Sequence, residues 1–205
     1  IEKSIVSSGD SSEDSPEDSS GNSPQATDDA KLILDICTGS GCIAITLSLD
    51  IPQSTVTGID ISEKAIATAT ENAKKLNSNT KIKHADVFDL LKMTKEGTKN
   101  EPSLDIIVSN PPYICEKEKA DMAKNVLNYE PGLALFVPDE DPLKFYRAIA
   151  EYASSALKSG GALYFEINPI YEKETREMLE GLGFKAIDTK EDAFGKQRMM
   201  RAGKS

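Results

Sequence analysis

An open α/β sheet of mostly parallel strands is the fold this sequence predicts, and three observations carry it. Short apolar runs alternate along the chain with segments whose apolar residues recur at helical spacing. Thr38-Gly39-Ser40-Gly41 stands between one such run and one such segment, as a tight strand-to-helix turn. The run Leu104-Asp105-Ile106-Ile107-Val108-Ser109 reads as a strand buried inside a parallel sheet and stops at Asn110-Pro111-Pro112-Tyr113.

The elements follow in order. Lys31 to Cys37 reads as the first strand and Cys42 to Leu49 as a helix. Asp60 ends the second strand, and Ser62 caps a helix that continues to about Ala73, with Glu63 and Lys64 in its first turn. Thr80 to Ala85 is the third strand, Asp86 to Met93 a short helix, and Thr94 to Pro102 a surface connection. After the strand ending at Ser109, Asp141-Pro142 opens a helix in which Leu143, Tyr146, Ile149, Ala150, Ala153 and Leu157 share one face, and Gly160 ends it. Ala162 to Ile167 is a strand, Tyr171 to Leu182 a helix, and Phe184 to Asp188 a strand. Gln197 to Arg201 is the last strand, a hairpin partner antiparallel to the rest.

Ligands of such sheets bind beyond the carboxyl ends of the strands, which is where the chemistry-bearing residues fall. Asn110 precedes a proline and is held extended, so its amide oxygen can face the crevice. Pro111 and Pro112 have fixed φ and no N–H, so the Pro111 carbonyl has few backbone donors competing for it. Two oxygens can then share one NH2 group, and Tyr113 offers a flat face for a planar amide or base. Acceptors on both hydrogens of an amide nitrogen favour the hybridisation that nucleophilic attack requires. Upstream, Gly39, Gly41 and Ala44 satisfy the dinucleotide pattern G-x-G-x-x-G/A, with Asp60 about 20 residues on, where a ribose-binding carboxylate belongs. That pattern suits nicotinamide and adenosylmethionine cofactors alike. Asp35, just before the glycines, would repel a pyrophosphate and suits the ammonium and sulfonium of S-adenosyl-L-methionine; a helix-capping carboxylate is its other reading.

Asp35-Ile36-Cys37-Thr38-Gly39-Ser40-Gly41, Asp60 and Asn110-Pro111-Pro112-Tyr113, in that order, resemble the HemK/PrmC class of adenosylmethionine-dependent methyltransferases, which modify the glutamine amide of peptide-chain release factors. The likeness runs from about residue 31 to the end and includes Asn128-Tyr129-Glu130-Pro131, Ala134-Leu135, Gly160 to Glu166, and Arg198. The resemblance implies a Rossmann-like class I methyltransferase with a seven-stranded, mostly parallel sheet. It implies a cofactor site of Asp35, Cys37, Thr38, Gly39, Ser40 and Gly41, with Asp60 and Ile61 at the ribose, Asp86 and Val87 beside the adenine, and Asn110 touching cofactor and substrate. Catalysis would fall to Asn110, Pro111 and Tyr113, and substrate binding to these with Pro112 and Glu130. The product would be S-adenosyl-L-homocysteine and a methylated glutamine in a release factor. Cys37 departs from the family, which usually has glycine there. Two other readings stay open: an adenine-amino methyltransferase acting on DNA or RNA, and a non-catalytic adenosine-binding module.

Ile1 to Val6 reads as the tail of a helix, and the chain as a fragment comprising the catalytic domain, without the helical substrate-docking domain of the family. Ser7 to Ala30, rich in Ser, Asp, Glu and Pro, cannot offset chain entropy and is expected to be a disordered linker. Residues 31–205 are expected to form one domain, monomeric and cytoplasmic, since no apolar run is long enough to span a bilayer. Cys37, Cys42 and Cys115 lack metal-like spacing and are expected to be buried reduced thiols. The net charge of −10 argues against tracking a phosphate backbone. His84, the only histidine, is not needed as a base; Glu166 is read as a structural carboxylate and Arg198 as the partner of an acidic neighbour. Glu116 to Lys119 is mixed in sign and reads as a solvated helix face.

Overall fold

The computed structural model describes residues 30–51, 53–96, 104–115, 117–118 and 136–205. The acidic segment up to residue 29, with the helix tail expected at its start, most of the connection expected over 94–102, and Glu130, expected to bind substrate, with its neighbours lie outside the described residues.

β1 (Leu32–Ile36), α1 (Cys42–Asp50), β2 (Thr55–Asp60), α2 (Glu63–Lys75), β3 (Lys81–His84), α3 (Val87–Lys95) and β4 (Leu104–Ser109) make the first half. Two short strands follow, β5 (Ile114–Cys115) and β6 (Phe136–Val137). Then come α4 (Lys144–Ala156), β7 (Leu157–Glu166), α5 (Glu172–Gly181), β8 (Lys185–Glu191) and β9 (Gln197–Gly203). Seven strands form one sheet in the order β3-β2-β1-β4-β7-β9-β8, and β5 pairs with β6 in a separate parallel ribbon. The reversal of strand order beside β1 opens the crevice. Only β9 runs against its neighbours, pairing antiparallel with both β7 and β8.

One sheet face, with Leu34, Ile36, Ile107, Leu163, Phe165 and Met200, packs into a core shared with Tyr146, Ile149 and Tyr152 of α4 and Leu179 of α5. The Tyr146 ring meets Phe165 edge-on at 5.1 Å. The other face is covered over β1 and β2, where Ile33 and Val56 pack with Ala44 of α1. Ser62 caps α2 as expected, its hydroxyl accepting from Ala65 N at 3.3 Å.

The sequence misplaces four features. α4 stops at Ala156, and β7 begins at Leu157, before the glycines expected to end the helix. Leu157 pairs with Leu104, and the register shift to Ile106↔Ala162 is absorbed by Gly160 at φ +80°, so the strand starts early and bulges. β8 and β9 extend to Glu191 and Gly203, because their ladder continues past the apolar residues that marked them. The β5–β6 ribbon carried no sequence signal at two residues a strand. Of the cysteines, Cys115 is buried but Cys37 is half-buried and Cys42 exposed, since Cys42 opens α1 on its outer side.

Candidate active site

Register brings the ends of four strands to one level: Ile36 pairs with Ile59 and Ser109, and Ser109 with Phe165. Cys37, Asp60, Asn110 and Glu166 therefore stand along one edge. Ser109 ties two of these ends together, donating its hydroxyl to the Ile36 carbonyl at 2.6 Å.

The glycine turn is built by sterics. Gly41 (φ +81°) caps α1, and a Cβ there would lie 3.0 Å from Ala69 of α2 and from Ile45. Gly39 (φ +56°) faces open space, so its requirement is conformational and the room beside it is free for a ligand. Cys37 also has positive φ, at 61°, which is the physical reason glycine suits that position. Burial, reinforced by the charges of Asp60 and Asp35, pushes the Cys37 thiol up to about 12, so it stays protonated. Thr38 N donates to Ile59 O at 2.9 Å. Gly58, inside β2, makes room for Thr38: an added Cβ would meet its Oγ1 at 2.7 Å.

Asp35 is fully buried. Its Oδ2 accepts from Thr38 Oγ1 at 2.6 Å and from Ala44 N, in the first turn of α1, at 3.2 Å, so the capping role is real. Its Oδ1 is buried without a partner. Desolvation, opposed by the Thr38 and Ala44 hydrogen bonds, pushes the carboxyl up to about 7. An orphaned, desolvated carboxylate oxygen beside a glycine turn fits a cationic ligand.

Asp60 accepts from Gly39 N at 2.9 Å through Oδ2 and from Ser62 N at 2.8 Å through Oδ1, with lone pairs to spare for ribose hydroxyls. Beside it Ile61 is 58% exposed, an apolar face at the crevice. Asp86 caps α3, Oδ1 accepting from Phe88 N at 2.9 Å, while the Val87 side chain is buried in the core, which leaves its backbone as the part nearest a ligand. Ser40 is exposed at the turn. His84 bonds the Ile61 carbonyl at 2.7 Å and is exposed on the rim, away from the Asn110 loop.

The second half is the loop after β4. Asn110 is exposed, Pro111 and Pro112 are buried, and Tyr113 is half-buried. Tyr113 is held at both ends by the tip of β7: its hydroxyl donates to Glu166 Oε1 at 2.8 Å, and its carbonyl accepts from Asn168 Nδ2 at 3.3 Å. Burial, with the neighbouring Glu166, raises the Tyr113 phenol to about 12, so it remains a donor. Asn168 also donates to the Glu118 carboxylate at 3.2 Å and accepts from Ile170 N at 3.1 Å. The buried Tyr146 locks the same segment, donating to Glu166 O and accepting from Asn168 N. Arg198 meets Asp192 at 3.5 Å, the acidic neighbour expected for it.

Asn168, Tyr146 and Gly58 escaped sequence reasoning, though two of them carried signals. Asn168-Pro169 after a strand repeats the pair Asn110-Pro111, and an isolated glycine in a strand marks a close approach. Replacing Asn168 by alanine strands the Tyr113 carbonyl and should lower stability by about 1–3 kcal/mol, read from the urea midpoint. It should lower kcat while leaving cofactor affinity within twofold.

Residues 24–130 match the family model described as methyltransferase small domain. Over 176 residues the chain is 47% identical to a protein of Bacteroides thetaiotaomicron named release factor glutamine methyltransferase, covering 86% of this chain and 61% of that one. A protein of the same name in Flavobacterium psychrophilum is 47% identical over 82% of this chain and 57% of its own length. The chain thus spans about 60% of the length of these curated relatives. Among solved structures, an SAM-dependent O-methyltransferase from Thermotoga maritima superposes with a TM-score of 0.60 at 17% identity, over 86% of this chain and 60% of that one.

Proposed function

We propose that this chain, which belongs to the methyltransferase small domain family, transfers a methyl group from S-adenosyl-L-methionine to the side-chain amide nitrogen of a glutamine in a peptide-chain release factor. Its fold is the class I adenosylmethionine-dependent methyltransferase fold, a seven-stranded sheet with β9 antiparallel. The observation that carries the reaction is the acceptor-rich loop at Asn110, clamped from behind by Glu166 and Asn168. The names of the relatives favour a protein amide over the adenine-amino group left open above.

Asp35, Cys37, Thr38, Gly39, Ser40 and Gly41 form one wall of the donor site in this reading, and Asp60, Ile61, Asp86 and Val87 the other. When bound, adenosylmethionine supplies a methyl group on cationic sulfur. Asp35 offers its partnerless Oδ1 to the ligand's positive charge, and Asp60 accepts from ribose hydroxyls. The Asn110 amide oxygen and the Pro111 carbonyl accept from the two hydrogens of the substrate NH2, turning its lone pair out of conjugation. Pro112 stiffens the turn and Tyr113 stacks on the amide plane. Positive charge growing on the nitrogen is stabilised by the same oxygens, and it is discharged when the nitrogen releases one of its two protons to solvent, leaving the neutral methylated amide. Residues 31–205 act as the catalytic unit, a monomer in the cytoplasm that has no need of nucleic acid; acidic residues slightly outnumber basic ones there, so the unit has no cationic surplus with which to track a phosphate backbone. No described helix is long and apolar enough to cross a membrane.

Labelled methyl groups should pass to a release factor, and not to a histone or DNA offered in parallel. Asp60→Ala should weaken adenosylmethionine binding by about 1.5–3 kcal/mol in calorimetry, the range for hydrogen bonds to a charged group. Binding of NAD with none of adenosylmethionine would overturn the assignment.

A further inference from the structure

We infer that the tip of the β8–β9 hairpin, through Phe194, is a docking post for the polypeptide that flanks the acceptor glutamine, an inference that rests on the protein-methylating function proposed above. Phe194 is 89% exposed, the most exposed large apolar side chain among the described residues. It does not hang on a loose loop. Asp192 Oδ1 accepts from Phe194 N at 2.8 Å and from Lys196 N at 3.1 Å, Asp192 N donates to Lys196 O at 2.8 Å, and Gly195 takes the positive φ of 76° that closes the turn. A ring held in water by a preorganised backbone is ready to bury its surface against a partner without further ordering.

Register places the hairpin tip on the same edge of the sheet as the crevice, to one side of it. β8 runs parallel to β7, so its carboxyl end lies on the edge that carries Asn110. Ser109 pairs with Phe165 and Glu166 with Met199, so Asn110 is level with Met199, two residues below the last rung at Glu191↔Gln197. The tip therefore stands about 10 Å above the Asn110 level and, with strands spaced at ~4.8 Å, about 12 Å to one side. An extended peptide covers that separation in about five residues.

Two further features join the hairpin to the catalytic loop. Arg198 faces Asp192 at 3.5 Å, its positive charge opposes the rise that burial gives the Tyr113 phenol, and the Arg198 carbonyl accepts from Ile167 N at 2.8 Å. Ile170, in the 3-10 turn Pro169–Tyr171 that follows β7 on this edge, is 65% exposed. The wall beside the acceptor loop is thus apolar at its tip, and the tip carries Asp192 and a single Lys196 in place of the basic stripe a nucleic acid requires. The occupant it fits is a polypeptide with an apolar side chain about five residues from the glutamine.

Methyl transfer to a purified release factor, and to a pentapeptide centred on the same glutamine and too short to reach the hairpin, tests this. Phe194→Ala should raise KM for the protein about tenfold with kcat within twofold, and Phe194→Leu should restore most of it. The pentapeptide should show equal KM with the unmodified chain and Phe194→Ala. Leu49→Ala, which removes an exposed apolar side chain at the far end of α1, should change neither KM. A KM for the protein within twofold of normal in Phe194→Ala, or an equal rise for the pentapeptide, would overturn the docking role while leaving the proposed function intact. Transfer by the unmodified chain to DNA, or to neither glutamine substrate, would instead sink the function, and the docking role with it.

Discussion

Asn110→Ala lowers turnover by a factor on the order of 100 to 1,000, the effect expected for losing one preorganised partner of a charge that develops only in the transition state. The loss falls on kcat because the ground-state amide nitrogen is neutral and gains little from the acceptor. Affinity for adenosylmethionine falls much less, since Asp35, Asp60 and the glycine turn belong to other strands. Pro111 contributes a backbone carbonyl that no side-chain substitution removes, which is why the effect stops short of abolition. Single-turnover transfer to a release factor, beside calorimetry with the cofactor, separates the two quantities. Near-normal turnover in Asn110→Ala would rule out the acceptor pair.

Asp35 yields the second large effect, on stability as a function of pH. Its carboxyl titrates near 3.8 when solvated and at about 7 in the folded chain, where desolvation dominates. Between those values the native state keeps a proton that the unfolded chain has released. The Asp35 contribution to the stability of the ligand-free protein is therefore full below about pH 4, falls as pH rises through 7 and levels off beyond, with a loss of at most about 4 kcal/mol. Asp35→Asn retains an oxygen for Thr38 and Ala44 and carries no charge, so this component of the profile flattens and the variant gains on the order of 2 kcal/mol at pH 8. The same variant binds adenosylmethionine more weakly, because the ligand's positive charge is what favours the ionised carboxylate. Urea titrations of both proteins from pH 4 to 8 check the first statement. Proton release on cofactor binding near pH 6, measured in buffers of different ionisation enthalpy, checks the second. Parallel stability profiles for the two chains would remove Asp35 as the cause.

The sheet and its crevice were legible because each rests on local chemistry. An apolar run followed by Thr38 to Gly41, or by Asn110 to Tyr113, carries strand, turn and site within a dozen residues. The clamp on Tyr113 was not legible, because Glu166 and Asn168 reach it across 53 and 55 positions of sequence. Sequence alone marks Glu166 as a carboxylate at a strand end, but names no partner for it; the structure supplies Tyr113. The boundary at Leu157 failed for the same reason: helical periodicity carries the pattern through Leu157, and only pairing with Leu104 pulls that residue into a strand. Gly58 was visible as a glycine within a strand, yet its neighbour Thr38 comes from another element.

β9 lies between β7 and β8, so β8 reaches the sheet only through a strand made after it. Folding must respect that sequence of events. β8 and β9 are joined by a five-residue turn whose closure is local and fast, about 1–10 μs for a hairpin, and the pair has to dock on β7 as a unit. Until it does, the β7 edge from Ala162 to Glu166 stands with its backbone unpaired on that side, a template for another chain. A lesion in the hairpin that slows docking, even one far from Asn110, should therefore appear first as aggregation during refolding.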